Sequence, residues 1–306
     1  MNTTKHPLIS IITLNYNQVA LTCQLLESLR SVTYPNVEII VVDNASSDNP
    51  IDTIQECFPE VQLICNKENL GFAGGNNVGI KAAKGKYILM LNNDTEVMPN
   101  FLEPLVSTME QNPNIGVCSP KIRFYYTKNY LQYAGSTAVN PYRVASYAIG
   151  YQEADKGQFD GSGGRTHLAH GAAMLVSGKA IELAGLMEEE FFLYYEELDW
   201  CERIKRAGFE IHFVPQSLVF HKESMTVGKH SPLQLYYKTR NRLLFARRNF
   251  RYFKLFIALA YLLVLVAPVR LGKFLMARNF KSFRVYLKAI SWHCIWLQPF
   301  SSFQKT

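Results

Sequence analysis

Tyr87-Ile88-Leu89-Met90-Leu91-Asn92-Asn93-Asp94-Thr95-Glu96 is the stretch that decides the fold. Five apolar, β-leaning residues stop abruptly at a cluster of amides and carboxylates. A short continuous apolar run of this kind reads as a strand buried on both faces, as in parallel sheets, with its carboxyl end opening into a polar site. Open α/β sheets bind ligands at the carboxyl ends of their strands. Asp94 therefore stands where a hard cation carrying phosphates needs an oxygen ligand. Asn and Asp also fill simple strand-to-loop turns for backbone reasons, so the choice between site and turn rests on the rest of the chain.

The same pattern recurs upstream. Leu8–Leu14 is apolar and ends at Asn15-Tyr16-Asn17, and Val37–Val42 ends at Asp43-Asn44-Ala45-Ser46-Ser47-Asp48. Helical spacing covers Val19–Val32, a shorter helix is expected over Asp52–Phe58, and a third strand over Val61–Cys65. Asn69–Gly75 reads as a glycine-rich loop, followed by a helix over Asn76–Ala83 and a turn at Gly85. Strands alternating with helices predict a mostly parallel central sheet flanked by helices, an α/β fold with a Rossmann-like nucleotide-binding half. Downstream, helices are expected over Pro99–Gln111, Glu196–Ala207 (ended by Gly208) and Ser231–Phe250, and strands over Gly116–Pro120 and Phe209–Pro215, the latter leading into Ser217–Lys229. Gly171–Val176 is apolar again. Residues 121–168 are rich in Tyr, Gly and Ser without a clear period, and long irregular regions of this kind are usually functional loops.

The 306 residues carry a net charge of +7, which hides an asymmetry. Residues 1–223 hold 17 Lys and Arg against 25 Asp and Glu, a balance of −8; residues 224–306 hold 15 Lys and Arg and no acid, +15. The chain reads as two parts, 1–250 as a folded α/β domain and 251–306 as a helical basic tail. That tail contains the apolar run Leu255–Val269, shorter than the roughly 20 residues of a spanning helix and closed by Pro268. Arg247, Arg248, Arg251 and Lys254 precede it, Arg270, Lys273, Arg278 and Lys281 follow, and aromatics from Tyr252 to Trp292 and Trp296 are interleaved. Basic and aromatic flanks on an apolar helix match an anionic membrane surface, whereas nucleic acid would not require the apolar segment. A buried helix of the globular domain is the other reading. Met1–His6 is polar and runs straight into a strand, so no secretory signal is expected. Cys23, Cys57, Cys65, Cys118, Cys201 and Cys294 form no CxxC pair or zinc spacing, and read as small buried residues in a reducing cytosol.

Five segments occur in one order: Thr13-Leu14-Asn15-Tyr16-Asn17, Val42–Asp48, Asn69-Leu70-Gly71-Phe72, Leu91–Asp94 and Phe192–Asp199. Together, over about residues 8–250, they resemble family-2 glycosyltransferases of the GT-A fold, and within these the bacterial rhamnosyltransferase-like members. The glycine-rich segment matches neither GxGxxG nor the P-loop. The resemblance implies an inverting transfer of a sugar from a nucleoside diphosphate, assisted by Mg2+ or Mn2+. It implies that Thr13, Asn15, Asn17, Asp43, Asn44 and Ser46 line the nucleoside pocket. Asn69, Gly71, Asn76, Asn92 and Asn93 would approach the ribose and diphosphate, and His170 the donor sugar. Asp94 corresponds to the last acid of the DxD-type motif and His221 to a histidine of the metal shell, with imidazole tilting the choice toward Mn2+. Asn92 departs from the full motif, which leaves the metal fewer charged ligands. Glu197 falls at the catalytic base, with Glu196 or Asp199 as substitutes, and the neighbouring like charges would raise its pKa toward a working range. Acids at a helix start also simply favour the dipole. Arg203, one turn past Asp199, is expected in an internal salt bridge.

These readings combine into a cytoplasmic enzyme peripheral to the inner face of the plasma membrane. It would transfer L-rhamnose from dTDP-L-rhamnose to a lipid-linked or oligosaccharide acceptor of a surface polysaccharide, with UDP-hexose or UDP-galactofuranose as other donors. A nucleotidyltransferase would need a glycine-rich loop with a basic residue after the first strand, where Asn15-Tyr16-Asn17-Gln18 stands. A non-catalytic sugar-nucleotide or membrane-binding module, motivated by Asn92, is the remaining alternative.

Overall fold

Strands Ile9–Asn15 (β1) and Val37–Asp43 (β2), joined through helix Val19–Leu29 (α1), run parallel, with Ile9 beside Val37 and Asn15 beside Asp43. Two of the polar ends read from the sequence therefore fall side by side. The computed structural model describes residues 6–48, 50–222 and 231–295. Its chain continues through Pro50–Cys57 (α2), Gln62–Cys65 (β3), Gly71–Ala82 (α3), Tyr87–Leu91 (β4), Thr95–Val97 (β5), Leu102–Gln111 (α4) and Ile115–Phe124 (β6). Then come Leu131–Tyr133 (β7), Gly164–Thr166 (β8), Ala173–Ser177 (β9), Gly178–Ala184 (α5), Glu196–Arg206 (α6), Glu210–His221 (β10) and Pro232–Asn249 (α7). Helices Tyr252–Met276 (α8) and Phe280–Ile295 (α9) follow.

The sheet runs β3-β2-β1-β4-β9-β6-β10-β5, with β7 paired to β6 and β8 to β10. It is parallel from β3 to β4, as the strand–helix alternation predicts. Beyond β4 it is mixed: β9 enters antiparallel between β4 and β6, while β6 and β10 are parallel. The physical reason is the connection, because β9 follows the long excursion 121–168 and not a helical crossover. All five residues of β4 are buried, which fits its central place. Each such apolar side chain contributes about 1.5–3 kcal/mol on burial.

The segment read as a glycine-rich loop is instead the first turns of α3. Its glycines let that helix lie close to the sheet: a Cβ at Gly75 would meet Leu14 at 3.0 Å, and one at Gly79 would run into Ile12. Close approach to the sheet is why Gly75 and Gly79 are there.

The chain divides into two compact units. The first comprises, among the described residues, 6–138, 147–192 and 196–222, and holds the sheet. The second comprises 139–146, 193–195 and 231–295. Within the second unit, Ser231 caps α7 by accepting from the Gln234 N–H at 3.1 Å, and Pro232 opens the helix. Asn241 donates to the Leu193 and Tyr194 carbonyls at 2.8 and 2.7 Å, and His293 Nε2 of α9 lies 2.9 Å from the Arg240 carbonyl.

Pro268 does not close the apolar run. α8 is one helix of 25 residues, long and apolar enough, by length and composition, to cross a membrane. A π turn over Tyr261–Val266 shifts the hydrogen-bond register just ahead of the proline, so the missing N–H does not end the helix. The cysteine reading also needs correction: Cys118 and Cys201 are buried, but Cys57, Cys65 and Cys294 are exposed thiols. Trp296, Met1–Lys5 and the stretch 223–230 lie outside the described residues.

Candidate active site

The carboxyl ends of β1 and β2 are tied together before any ligand arrives. Asn15 donates from Nδ2 to Asp43 Oδ1 at 2.8 Å and to Ser46 Oγ at 3.0 Å, and accepts at Oδ1 from Thr22 Oγ1 at 2.7 Å. Asp43 in turn accepts from the Ser46 N–H at 3.0 Å and its hydroxyl at 2.5 Å. Asn17, at φ 54°, donates its N–H to Ser46 Oγ at 2.8 Å and accepts from the Ser47 N–H at 2.7 Å. Thr22, at a polar position on the buried stripe of α1, extends the network by accepting from Asn93 Nδ2 at 3.1 Å. Beside this network, Thr13 Oγ1 is buried and makes no hydrogen bond among the described residues. Buried hydroxyls ordinarily have a partner.

Asn44 uses all its hydrogen-bonding positions within the fold. It donates to Asn69 Oδ1 at 3.2 Å and the Gly71 carbonyl at 2.9 Å, and accepts from Asn66 Nδ2 at 2.9 Å and the Leu70 N–H at 3.3 Å. Asn69 accepts from the Gly71 N–H at 2.8 Å, and Asn76, buried in α3, donates back to the Phe72 carbonyl at 2.9 Å. Gly71 adopts φ +70°, and a Cβ there would collide with the Phe192 carbonyl, which accepts from the Phe72 N–H at 2.6 Å.

The stretch after β4 meets the end of β10. Asp94 Oδ1 lies 3.1 Å from His221 Nε2, and both side chains are almost fully buried. His221 Nδ1 donates to Gln132 Oε1 at 2.8 Å, which leaves Nε2 facing Asp94. Asn92 accepts at its carbonyl from the Thr95 hydroxyl at 2.6 Å, and its N–H donates to the Ala172 carbonyl at 2.9 Å. His170 stacks edge-on to His221, 5.9 Å between centroids, and its Nδ1 accepts from the Ala172 N–H at 3.1 Å. Burial above all, and then the neighbouring His221, push the His170 pKa down to about 3 against the pull of Asp94.

Whether these residues fit a divalent cation can be judged from the 3.1 Å separation. Two donors at about 2.1 Å from one ion and at right angles would stand about 3 Å apart. The carboxylate–imidazole pair meets that spacing. No group of three or more His, Cys, Asp and Glu side chains capable of holding a metal occurs among the described residues. The donor set therefore fits an ion whose shell is completed by phosphate oxygens and water. Gln132 was not legible in sequence, since it sits in a tyrosine-rich stretch without periodicity.

The three acids opening α6 have different surroundings. Asp199 is fully buried and accepts from Arg203 Nε at 3.0 Å, the internal salt bridge read from the sequence. Arg203 also donates to the Ala184 and Leu186 carbonyls, both at 2.6 Å. Glu196 is buried, whereas Glu197 is only partly so. Glu197 stands against the turn after His170: a Cβ at Gly171 would meet its Cγ at 3.7 Å.

A sheet whose polar strand ends converge on one carboxylate–histidine pair is the architecture of a nucleotide-sugar transferase of GT-A type. The mannosyltransferase from Pyrobaculum calidifontis, solved in complex with GDP-Man and Mn2+, shares the fold with a TM-score of 0.60 at 17% identity, over 97% of this chain and 89% of that one. The family model for glycosyl transferase family 2 matches residues 10–170, and the chain belongs to that family. It is 29% identical over 242 residues to a low-salt glycan biosynthesis hexosyltransferase of Haloferax volcanii, covering 77% of this chain and 74% of that protein. It is 26% identical over 225 residues to a dTDP-rhamnosyl transferase of Shigella flexneri, covering 70% and 72%.

Proposed function

We propose that this glycosyltransferase is an inverting, divalent-metal-assisted enzyme that moves L-rhamnose from dTDP-L-rhamnose to a hydroxyl of a lipid-linked or oligosaccharide acceptor in surface-polysaccharide synthesis. The observation that carries the metal-assisted reading is the buried Asp94–His221 pair at 3.1 Å, set at the end of strands whose other polar ends are already cross-linked. The rhamnosyl donor is supported by the Shigella flexneri relative, and the Haloferax volcanii relative keeps a hexosyl donor as the second reading.

Asp94 and His221 would hold Mg2+ or Mn2+, which offsets charge on the departing diphosphate. Asn15, Asn17, Asp43 and Ser46 form a pre-ordered polar wall for the nucleoside, and the unpartnered Thr13 hydroxyl has a bond left to offer there. Asn44 holds Asn69 and Gly71 in place for the ribose and diphosphate, and Asn76, which donates to the Phe72 carbonyl, holds the turn that follows them. Asn92 and Asn93 complete that edge, and His170, kept neutral, presents Nε2–H toward the donor sugar. Glu197 is the base: it takes the proton of the acceptor hydroxyl as the oxygen attacks the anomeric carbon on the face opposite the diphosphate. Its side chain lies against Gly171, next to His170, which supports it over Glu196 and over Asp199, the partner of Arg203.

The basic, acid-free region 224–306 and the exposed Tyr252, Phe253, Phe256, Val264 and Leu265 of α8 support attachment to an anionic membrane at its cytoplasmic face. A screen of dTDP-L-rhamnose, UDP-hexoses and UDP-galactofuranose, reading nucleoside diphosphate release with Mn2+, Mg2+ or chelator, tests the reading. Release is expected with one donor and only with metal. Metal-independent turnover would overturn the roles of Asp94 and His221.

A further inference from the structure

In the first unit, exposed large apolar side chains concentrate in residues 126–151, where Tyr126, Tyr130, Tyr147 and Tyr151 all stand open. Two of them, Tyr130 and Tyr151, meet at Phe124, the β6 partner of His221. Tyr130, 47% exposed, precedes β7, and its carbonyl accepts from the Phe124 N–H at 3.0 Å. Phe124 lies beside His221 in the β6–β10 register, and its ring meets that of Tyr151, 46% exposed, edge-on at 5.8 Å.

The ground under these rings is rigid. Asp155 has a fully buried side chain and pairs with Lys121 Nζ at 3.1 Å and Arg123 Nη2 at 2.5 Å, both on β6, and Lys121 also pairs with Asp160. Burial opposes the charge of Asp155, but the Gly157 N–H, Arg123 and Lys121 together hold its carboxyl below the usual range. The Tyr130–Ala154 bridge and the Gln152 N–H to Leu131 carbonyl bond, at 2.8 Å, fasten the same segment to β7. Open aromatic rings on a pinned loop are pre-organised for binding and are not a collapsed core.

We infer that Tyr130 and Tyr151 form a platform for the sugar ring of the acceptor, on the side of the Asp94–His221 pair where Phe124 lies. A sugar matches this surface because it offers an apolar C–H face that stacks on an aromatic ring. This rests on the transferase reading above, which supplies the hydroxyl acceptor.

The test uses the full chain and four variants, Tyr130→Ala, Tyr151→Ala, Tyr130→Phe and Tyr151→Phe. Saturation-transfer NMR would follow the methyl glycosides of glucose, galactose, mannose, N-acetylglucosamine and rhamnose, and calorimetry would follow UDP and dTDP with Mn2+. At least one methyl glycoside is expected to bind the wild type, tenfold or more weakly to each alanine variant, and near wild-type affinity to the phenylalanine variants, with nucleotide binding unchanged. The inference is overturned if no glycoside binds the wild type, if binding survives both alanine substitutions, or if nucleotide binding falls equally. It is also overturned if light scattering shows a dimer that the alanine changes dissolve, which would make the patch a contact between copies. A wild type that binds a methyl glycoside but releases no nucleoside diphosphate from any donor would remove the transferase reading and leave the platform standing.

Discussion

At the scale of single residues, chemistry is concentrated at the polar strand ends and at the acids that open α6. Glu197 is the partly open member of three clustered acids. Glu197→Gln keeps the shape and removes the proton acceptor, so kcat is expected to fall about 100-fold or more while donor affinity stays within a factor of two or so. Single-turnover rates beside equilibrium donor binding measure this, and equal loss of both would point to a structural role. Gln132 fixes which nitrogen of His221 faces Asp94. Outer partners of this kind typically contribute 10–100-fold to metal affinity. Gln132→Ala is therefore expected to weaken Mn2+ binding by about that factor, read by the electron paramagnetic resonance of free Mn2+ in the presence of dTDP. The candidate residues on the strand ends were legible because their side-chain types are out of place after an apolar run. Gln132 and Gly171 were not, because their partners are 89 and, for Glu197, 26 positions away and no local pattern encodes such distances.

At the scale of elements, the decisive piece is α3 and the turn that starts it. Gly71 combines a positive φ of +70° with a neighbour, the Phe192 carbonyl, that leaves no room for a methyl group. Gly71→Ala is expected to cost about 1–3 kcal/mol from backbone strain alone, visible as a lowered Tm, and to weaken nucleotide binding through displaced Asn69. A variant with unchanged Tm would show that the turn relaxes freely. Sequence alone predicts a loop here because glycines usually interrupt helices. In α3 they instead let the helix axis approach β1, a demand visible only once the sheet lies beneath them. Pro268 carries the same lesson. Proline ordinarily ends a helix, yet a π turn just before it lets α8 run through.

At the scale of the whole molecule, charge is segregated along the chain. A balance of −8 over residues 1–223 and +15 over 224–306 is a strong field for an anionic surface, and it is screened by salt. The full chain is expected to float with phosphatidylglycerol vesicles at low ionic strength and to bind phosphatidylcholine vesicles much more weakly. At 1 M salt, binding that persists would be the share carried by the apolar face of α8. A full-length chain that stays soluble with anionic vesicles at low salt would refute the attachment.

The sequence by itself determined the α/β class, the polar strand ends and the order of the motifs, because these depend on local periodicity and on side-chain type. Only the tertiary structure decided which polar ends meet. It brought Asp94 to His221, set β9 antiparallel beside β4, and paired Asp199 with Arg203. The physical reason is the range of the interactions: periodicity acts within one element, whereas a site is assembled from packing between elements far apart in the chain.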